Sequence, residues 1–392
     1  MKLLLIGNGF DLYHKFPTKY ENFLHVVNFL IDNYTDSINT VGEVLGDGRL
    51  SSIDKLISES YALYNVGYDA QELDKDIVID LIDKAKNNLW FSYLSKAFNK
   101  DLGWIDFEKE IQTVLNVFKC FFEKETKFFQ LDTKEWTAEQ KFILKHFNFF
   151  YNKTEHQTIV LGNIGHGEKV SNTYLIEKPF GSGNYIVDKE KIIGKLNEEL
   201  VILSEILKLY LTYFVDKSIE QIREKCSISK IKWLNKEIDC VFTLNYTKTY
   251  EKLYKFDRIC HIHGDIDSDI VLGVNANKED ELNDLNTDFL RFKKYYQRVF
   301  YKTDYNYENI ILEQAIFDDD EKNLQLAVIG HSLDITDKDI IEELFDMSRK
   351  ISIYYYKEND ITKYIKNLLA IYGKTKFDEL RITKDLNFIK LE

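Results

Sequence analysis

The first strand of this chain has no partner close to it in sequence. Leu3–Ile6 is an unbroken apolar run, typical of a strand buried on both faces of a parallel sheet. From Tyr20 to about Asn235 the pattern is mostly helical, and further strand-like runs begin only at Ile238. Because a strand needs neighbours, Leu3–Ile6 must pair with segments from the last third of the chain. We therefore predict an α/β fold whose sheet joins both ends of the chain.

The last third alternates between the two kinds of pattern, as expected of parallel strands joined by helical crossovers. Strand-like runs lie at 240–244, 259–263, 270–274, 325–330 and 351–355, and helical patterns at 246–255, 337–346 and 360–372. We expect a Rossmann-like parallel sheet with helices on both faces. The predicted domains are a nucleotide-binding domain of residues 1–20 and 236–392, and a mostly α-helical insertion of residues 21–235.

The insertion is predicted from apolar spacings of three and four residues. These spacings occur at 54–65, 72–94, 104–126, 135–151 and 189–225. A continuous apolar stripe runs from Leu196 to Tyr210, and we interpret it as core rather than as a subunit contact. The turn-rich stretch 157–183 is expected to be an irregular loop or a β-excursion, and its Gly165–Gly167 turn is either a lid or an ordinary loop.

The overall charge argues against a nucleic-acid-binding protein. The chain has 52 basic and 65 acidic residues, a formal charge of −13, and broad binding to phosphate backbones needs clustered basic residues. A local basic groove stays open. The four cysteines of the chain show no C-x-x-C pairing, which disfavours a zinc ribbon or a disulfide framework. With no apolar run of about 18 residues, we expect a soluble cytoplasmic protein without a membrane partner.

Polar and small residues follow the predicted strands, at the edge where open parallel sheets bind ligands. They lie at 7–11, 243–247, 261–265 and 330–334. Gly7 and Gly9 let the backbone approach a ligand closely. The third glycine of the dinucleotide fingerprint would fall at Leu12, so a tight turn without a ligand is an equal alternative. Pro17 is expected to fix a bend, with Thr18 as N-cap of the next helix.

These motifs together resemble the AbiH family of bacterial phage abortive-infection proteins. The residues that carry the resemblance are Gly7–Asp11, Phe16–Tyr20, Trp104–Glu108, Asn245–Thr247, His261–Gly264 and Gly330–Ser332. The matches run from the start of the chain to about Asp337. The resemblance implies a phage-defence function, with a phage component as the trigger.

The AbiH family is in turn distantly similar to sirtuin-like NAD-consuming domains. That similarity implies an NAD site lined by Gly7, Gly9, Asn245, His263, Gly264, Gly330 and Ser332. We predict that Asn8 and Phe10 of the same loop also bind the nucleotide. Thr247 stands where sirtuins carry an aspartate, Asn8 and Asp11 alter the glycine loop, and the sirtuin zinc module has no counterpart. These departures argue against a sirtuin-type deacetylase. The remaining similarity still implies NAD as substrate or ligand. No metal is predicted.

Cleavage of the bond between nicotinamide and ribose would build positive charge on the sugar. It needs a positioned ribose, a polar group for water and stabilisation of the cation. We predict Asn245, His263 and Asp11 as the catalytic residues: the Asn245 amide would hold water or a ribose hydroxyl, and His263 would accept a proton. Asp11 would supply negative charge. Backbone N–H groups of Gly7–Phe10 and Gly330–Ser332 would receive the pyrophosphate.

Several of these residues also have structural interpretations. His261 and His263 alternate along a predicted strand and would share a face, and His261 is expected to be a hydrogen-bonded core residue. Asn245 serves equally well as a helix cap, and Asp334 and Asp337 are expected to cap or solvate the next helix. In the insertion, Trp104, Asp106 and Glu108 either form a core tryptophan with a structural ion pair or bring an acid over the nucleotide site.

Three functions stay open at this point. Hydrolysis of NAD or a related nucleotide at the N-glycosidic bond fits best. A metal-dependent nuclease-type toxin would use clustered acids, of which Asp265, Asp267 and Asp269 are the best candidates. A nucleotide-sensing module without catalysis would fit the loss of the expected acid at Thr247. Whether the chain forms a homo-oligomer is also open.

Overall fold

The structure is a computed structural model. It describes residues 1–68, 71–100, 105–123, 136–151, 169–170, 174–177, 185–226, 231, 233–275, 287–303 and 324–391. Trp104, the Gly165–Gly167 turn and most of the turn-rich stretch 157–183 lie outside these residues.

Six strands form one parallel sheet, and the N-terminal strand lies inside it. The strands are β1 (Lys2–Ile6), β6 (Cys240–Thr243), β7 (Ile259–His261), β8 (Gln325–Ile329), β9 (Lys350–Tyr355) and β10 (Leu386–Lys390), in the order β10-β9-β8-β1-β6-β7. β1 pairs in parallel with β6 on one side and β8 on the other. The prediction that both ends of the chain build one α/β sheet is confirmed.

Alternate residues of β1 enter two different apolar cores, as the period of a strand requires. Leu3 and Leu5 pack in a core with the helices that follow β8 and β9. Leu4 and Ile6 pack in a second core with Phe10 and Tyr250. These four of the five β1 residues are at most 2% exposed. Both faces of the sheet are therefore covered, which explains why β1 is apolar throughout.

Numbered by their order along the chain, the six sheet strands follow the Rossmann order 3-2-1-4-5-6. The chain moves outward from β1 through β6 to β7, then returns to the other side of β1 with β8 and continues to β10. The strand order thus reverses between β1 and β8. In open parallel sheets, ligands bind beyond the carboxyl ends of the strands at such a point.

The described helices agree with most of the predicted ones within a few residues. The α-helices are Asn8–Tyr13, Tyr20–Asn33, Val41–Leu45, Ser51–Tyr64, Lys75–Asn87, Leu89–Lys100, Phe107–Glu123, Ala138–His146, Lys189–Tyr210, Lys217–Lys225, Leu234–Glu237, Thr249–Tyr254, Lys294–Tyr301, Lys338–Met347 and Glu358–Thr383. Short 3-10 turns are Gly48–Leu50, Thr287–Phe292 and Ile335–Asp337, and Leu211–Asp216 is a π-helix. Two short antiparallel pairs join β2 (Phe150–Tyr151) to β3 (Lys169–Val170) and β4 (Leu175–Glu177) to β5 (Tyr185–Val187).

Three predictions about local structure are wrong. Residues 270–274 form no strand, because their backbone contacts are single bonds to other segments, such as the Val271 N–H to the His263 carbonyl. The strand β10 was not predicted, because its sequence Leu-Asn-Phe-Ile-Lys mixes apolar and polar residues and none of them is fully buried. The N-cap of Tyr20–Asn33 is Lys19, and the Thr18 hydroxyl instead donates a hydrogen bond to the Asn8 side chain.

The chain divides into two compact units. The first comprises Met1–Asp83, Ser204–Asn275 and Lys294–Glu392, and it contains the whole six-stranded sheet. The second comprises Lys84–Leu203 and Ala276–Lys293. The apolar residues of the stripe from Leu196 to Tyr210 are buried, as expected of core. The predicted domain bounds, 1–20 with 236–392 and 21–235, stay a prediction.

Across the part of the chain that the structure describes, every helix is too short or too polar to cross a bilayer.

Candidate functional site

The loops after β1 and β8 touch each other directly where the strand order reverses. A Cβ atom on Gly9 would lie 2.6 Å from the Gly330 carbonyl oxygen, and one on Gly7 would lie 2.8 Å from the His331 ring. Gly330 has φ of +69°, and a Cβ there would lie 2.1 Å from the Phe10 nitrogen. All three glycines are therefore required by the close approach of the two loops.

The backbone amides of this glycine loop donate within the protein. Gly7 N–H donates to the Ile329 carbonyl (3.2 Å), Gly9 N–H to the Gly330 carbonyl (2.7 Å) and Phe10 N–H to the Gly7 carbonyl (2.8 Å). These three amides are thus engaged, and the pyrophosphate cradle predicted at Gly7–Phe10 is not formed by them. Asn8 is exposed, with its side chain bonded to Thr18.

Asp11 is the central group between the ends of β1 and β6. Its side chain is almost completely buried, and Oδ2 accepts a 2.6 Å hydrogen bond from the Thr247 hydroxyl, which in turn accepts one from Thr249. Oδ1 is buried and has no hydrogen-bond partner in the described residues. Burial raises the pKa of Asp11 from 3.8 to about 6, against the opposing hydrogen bonds from Thr247, Thr249 and Asn245.

Asn245 lies beside Asp11, and it is not a helix cap. The helix Thr249–Tyr254 has Lys248 at its N-cap position, so the capping alternative is wrong. The Asn245 side-chain amide instead donates to the Gly7 carbonyl at 3.1 Å, and its backbone N–H donates to the Thr243 hydroxyl at 3.0 Å. The carboxyl ends of β1 and β6 are thus joined by a buried polar network.

His261 is a hydrogen-bonded core residue, as expected. One ring nitrogen faces the Asn245 carbonyl at 3.0 Å and the other faces a Glu251 carboxylate oxygen at 2.9 Å. Both nitrogens face acceptors, so both carry hydrogens when the ring is charged. Burial lowers the pKa of His261, but the hydrogen bond and charge of Glu251 raise it more, and the net shift is upward.

His263 lies beyond the end of β7, so the predicted shared strand face with His261 is wrong. The chain turns sharply at Gly264, whose φ is +73° and whose Cβ would lie 1.9 Å from the Asp269 carbonyl oxygen. Gly264 is therefore needed for the turn itself. The buried His263 ring faces Asp337, with Nε2 3.5 Å from Oδ1. Burial and the nearby charge of Lys294 lower the pKa of His263 well below its usual value.

Asp337 was predicted to cap or solvate the next helix, and that prediction is wrong. The Asp337 side chain makes no cap hydrogen bond and is only 8% exposed. Its Oδ1 accepts a 2.8 Å hydrogen bond from Lys294, and its Oδ2 lies 3.2 Å from His331 Nε2. Burial alone would raise the pKa of Asp337, but Lys294 and His331 hold it well below its usual value. Asp334, by contrast, does cap the next turn through the Thr336 N–H.

Lys294 belongs to this edge and was not singled out from the sequence, whereas His331 and Asp337 lie in or beside the predicted loop after β8. Lys294 and Arg298 share one buried helix face at a spacing of four, and that spacing was the available signal. The spacing did not stand out because the surrounding stretch is charged and rich in tyrosine. Ser332, in contrast, is bonded through its carbonyl to the Asn367 side chain.

Acidic residues proposed for a nuclease site and for an acid of the insertion over the nucleotide site have structural partners. Asp265 accepts hydrogen bonds from the Asp267 and Ser268 N–H groups, and Lys248 pairs with both aspartates. Within the described residues no three His, Cys, Asp or Glu side chains group as metal ligands. In the second unit, Asp106 accepts the Lys109 N–H at the start of the helix Phe107–Glu123. That an acid of the insertion reaches the site stays a prediction.

The fold and this edge define a doubly wound α/β protein with polar groups gathered where its strand order reverses. The family described as Bacteriophage abortive infection AbiH matches residues 3–356. The chain therefore belongs to the AbiH family. Comparison with curated proteins and with solved structures gave no match.

Proposed function

We propose that this protein acts in phage abortive infection by hydrolysing NAD, or a related nucleotide, at the N-glycosidic bond. The observation that carries the proposal is the Asp11 carboxyl group. It is buried on the helix Asn8–Tyr13 that follows β1, one oxygen lacks a hydrogen-bond partner in the described residues, and its pKa is raised to about 6. A buried polar atom without a partner is costly, and such costs are tolerated chiefly at functional sites.

The reaction breaks the bond between C1′ of the ribose and the ring nitrogen of nicotinamide. The bonding electrons leave with nicotinamide, water adds to C1′, and one water proton goes to a base. With its pKa of about 6, Asp11 is mostly ionised at neutral pH. Its Oδ1 atom would accept a ribose hydroxyl, and its charge would stabilise the positive sugar. Asn245, beside Asp11, would hold the ribose or the water.

His263 would accept the water proton, because the lowered pKa keeps its ring neutral at physiological pH. Asp11 Oδ1 and His263 Nε2, which have no hydrogen-bond partner in the described residues, would thus supply hydrogen-bond acceptors for a sugar and its attacking water at this edge. The amides of Gly7, Gly9 and Phe10 already donate within the protein, so the proposal does not assign the diphosphate to them. Gly264 and Gly330 would act by allowing the turns that bring their loops together.

The test is nicotinamide release from NAD by the purified full chain, followed by chromatography. Release by wild type, with at least a tenfold loss in Asn245→Ala and in His263→Ala, would support the proposal. Asn387→Ala on β10 and the exposed His25→Ala are matched controls that should keep full activity. No release by wild type, even after addition of phage lysate, would overturn it.

The pH dependence gives a second expected outcome. Asp11 acts as its carboxylate, so release should fall as the pH drops through about 6, where Asp11 takes up a proton. In Asp11→Glu the apparent pKa should move, while in Asp334→Asn it should not. A rate that is flat through this range in wild type would remove Asp11 from the reaction.

A further inference from the structure

A second buried polar cluster lies where the loops after β7 and β8 meet. It contains His263, His331, Asp337 and Lys294, all of which are at most 8% exposed. β7 and β8 are separated in the sheet by β1 and β6, so the two loops approach each other across the ends of those strands. The cluster therefore belongs to the edge that carries Asp11 and Asn245.

The hydrogen bonds of this cluster commit both oxygens of Asp337. Lys294 Nζ donates to Oδ1 at 2.8 Å. His331 accepts the Leu333 N–H through Nδ1 at 3.0 Å, so its hydrogen lies on Nε2 and is donated to Asp337 Oδ2 at 3.2 Å. His263 Nε2 is left 3.5 Å from Oδ1, too far for a good hydrogen bond. It has no hydrogen-bond partner among the described residues.

The backbone on either side of His263 is fixed as well. Gly264 N–H donates to the His261 carbonyl at 3.0 Å, and Val271 N–H donates to the His263 carbonyl at 2.9 Å. The turn at Gly264 is closely packed, since a Cβ atom there would lie 1.9 Å from the Asp269 carbonyl oxygen. The imidazole is therefore held close to a carboxylate that is occupied by other groups.

We propose that Lys294 and Asp337 are positioning residues for His263: Lys294 occupies the near oxygen of Asp337 and so leaves the His263 Nε2 atom to a ligand. This inference rests on the proposed function, in which His263 is the base, and it names the residues that hold that base ready. A neutral imidazole beside an unoccupied carboxylate would become an ion pair, and an imidazolium cannot accept a proton from water.

The charged groups that face His263 come from three elements. Lys294 and Arg298 lie on the helix Lys294–Tyr301, Asp337 precedes the helix Lys338–Met347, and His331 follows β8. Burial and the two cations disfavour the charged ring, while Asp337 favours it. Removal of the Lys294 ammonium group both deletes a cation and releases Oδ1. Both changes favour protonation of His263.

The experiment follows the His263 ring by NMR in the full chain with isotope-labelled histidine. The chain has 8 histidines, and the His263 signal is assigned by its loss in His263→Gln. In wild type we expect the titration midpoint of His263 to lie well below the ordinary value of a histidine. In Lys294→Met we expect the midpoint to move upward towards that ordinary value, because the cation that lowers it is gone, and Lys294→Arg should restore the wild-type behaviour. Lys302→Met, exposed just after the same helix, is the matched control.

A wild-type His263 that titrates near its ordinary value of about 6.5 would overturn the proposal, as would a Lys294→Met titration identical to wild type. The wild-type titration does not depend on the folding of Lys294→Met, so it decides the matter even where that variant fails to fold. Nicotinamide release is measured in parallel, and Lys294→Met should move its acidic limb to higher pH. Absence of release in wild type would contradict the proposed function and leave the NMR result to judge this inference alone.

Discussion

Two buried aspartates at the same edge of one sheet have opposite electrostatic surroundings. Asp11, at the end of β1, has threonine hydroxyls and an amide around it, and its pKa is raised to about 6. Asp337, after β8, has Lys294 and two histidines around it, and its pKa is lowered well below 3.8. Both are at most 8% exposed. Burial acts on both in the same direction, so the presence of a cation decides the sign.

The difference separates two roles for a buried carboxylate. Asp337 is satisfied, because both of its oxygens are engaged with charged or polar partners. Asp11 has an oxygen without a partner in the described residues and no buried cation hydrogen-bonded to it. We therefore expect loss of the Asp337 charge to destabilise the fold, and loss of the Asp11 charge to stabilise it. Two changes test that contrast, and a third tests the corresponding contrast between His261 and His263.

The largest effect is expected from Asp337→Asn. The change leaves the Lys294 ammonium group buried without its carboxylate, and breaking one partner of a buried pair costs about 3–5 kcal/mol. The free energy of unfolding, from denaturant titration at neutral pH, should fall by that amount. Lys294→Met combined with Asp337→Asn should recover part of the loss. Lys2→Met, which breaks the exposed pair with Glu237, is the control and should cost under about 1 kcal/mol.

Asp11→Asn should raise the free energy of unfolding at neutral pH. The interval between 3.8 and about 6 corresponds to roughly 3 kcal/mol by which ionised Asp11 disfavours the folded state. Since the folded-state pKa is raised, the wild type loses stability as the pH rises from about 4 to about 6, and the variant does not. The two stability curves should meet below about pH 4. If the two curves run parallel between about pH 4 and pH 6, the pKa of Asp11 is not raised by folding, and this prediction is contradicted.

The smallest effect is expected at His261, whose pKa is raised while that of His263 is lowered two residues away. A raised folded-state pKa stabilises the protein below about pH 6.5, and the gain is lost as the pH rises through the folded value. Glu251→Gln should therefore cost about 1 kcal/mol under mildly acidic conditions and little in alkaline buffer. Thermal unfolding at both pH values measures the difference. An equal loss at both would contradict a charged His261.

The sheet could be predicted from the sequence because Leu3–Ile6, which make up all of β1 after Lys2, are apolar. Leu3–Ile6 fits only the interior of a parallel sheet, and the apolar runs of the last third supply its neighbours. β10 could not be predicted, because an edge strand covered on one side needs no apolar run. The strand predicted at 270–274 is apolar for another reason, since its residues are buried without joining the sheet.

The site was predictable only as far as the strand ends. Asp11 and Asn245 follow strands that the apolar pattern reveals, so their neighbourhood follows from parallel topology. Lys294 reaches the same edge from a helix whose exposed face carries Val299 and Phe300 and whose buried face carries the charges. That pattern is the reverse of an ordinary amphipathic helix, and hydrophobic periodicity alone assigns its faces the wrong way round.

The central claim is that the buried Asp11 carboxylate takes part in the reaction and lowers the free energy of unfolding. The most direct test measures two quantities on one preparation of Asp11→Asn: the free energy of unfolding at neutral pH and the rate of nicotinamide release from NAD. We predict a more stable protein, by up to roughly 3 kcal/mol, whose release rate has fallen at least about a hundredfold. A variant that is less stable, or that releases nicotinamide at the wild-type rate, would contradict the claim.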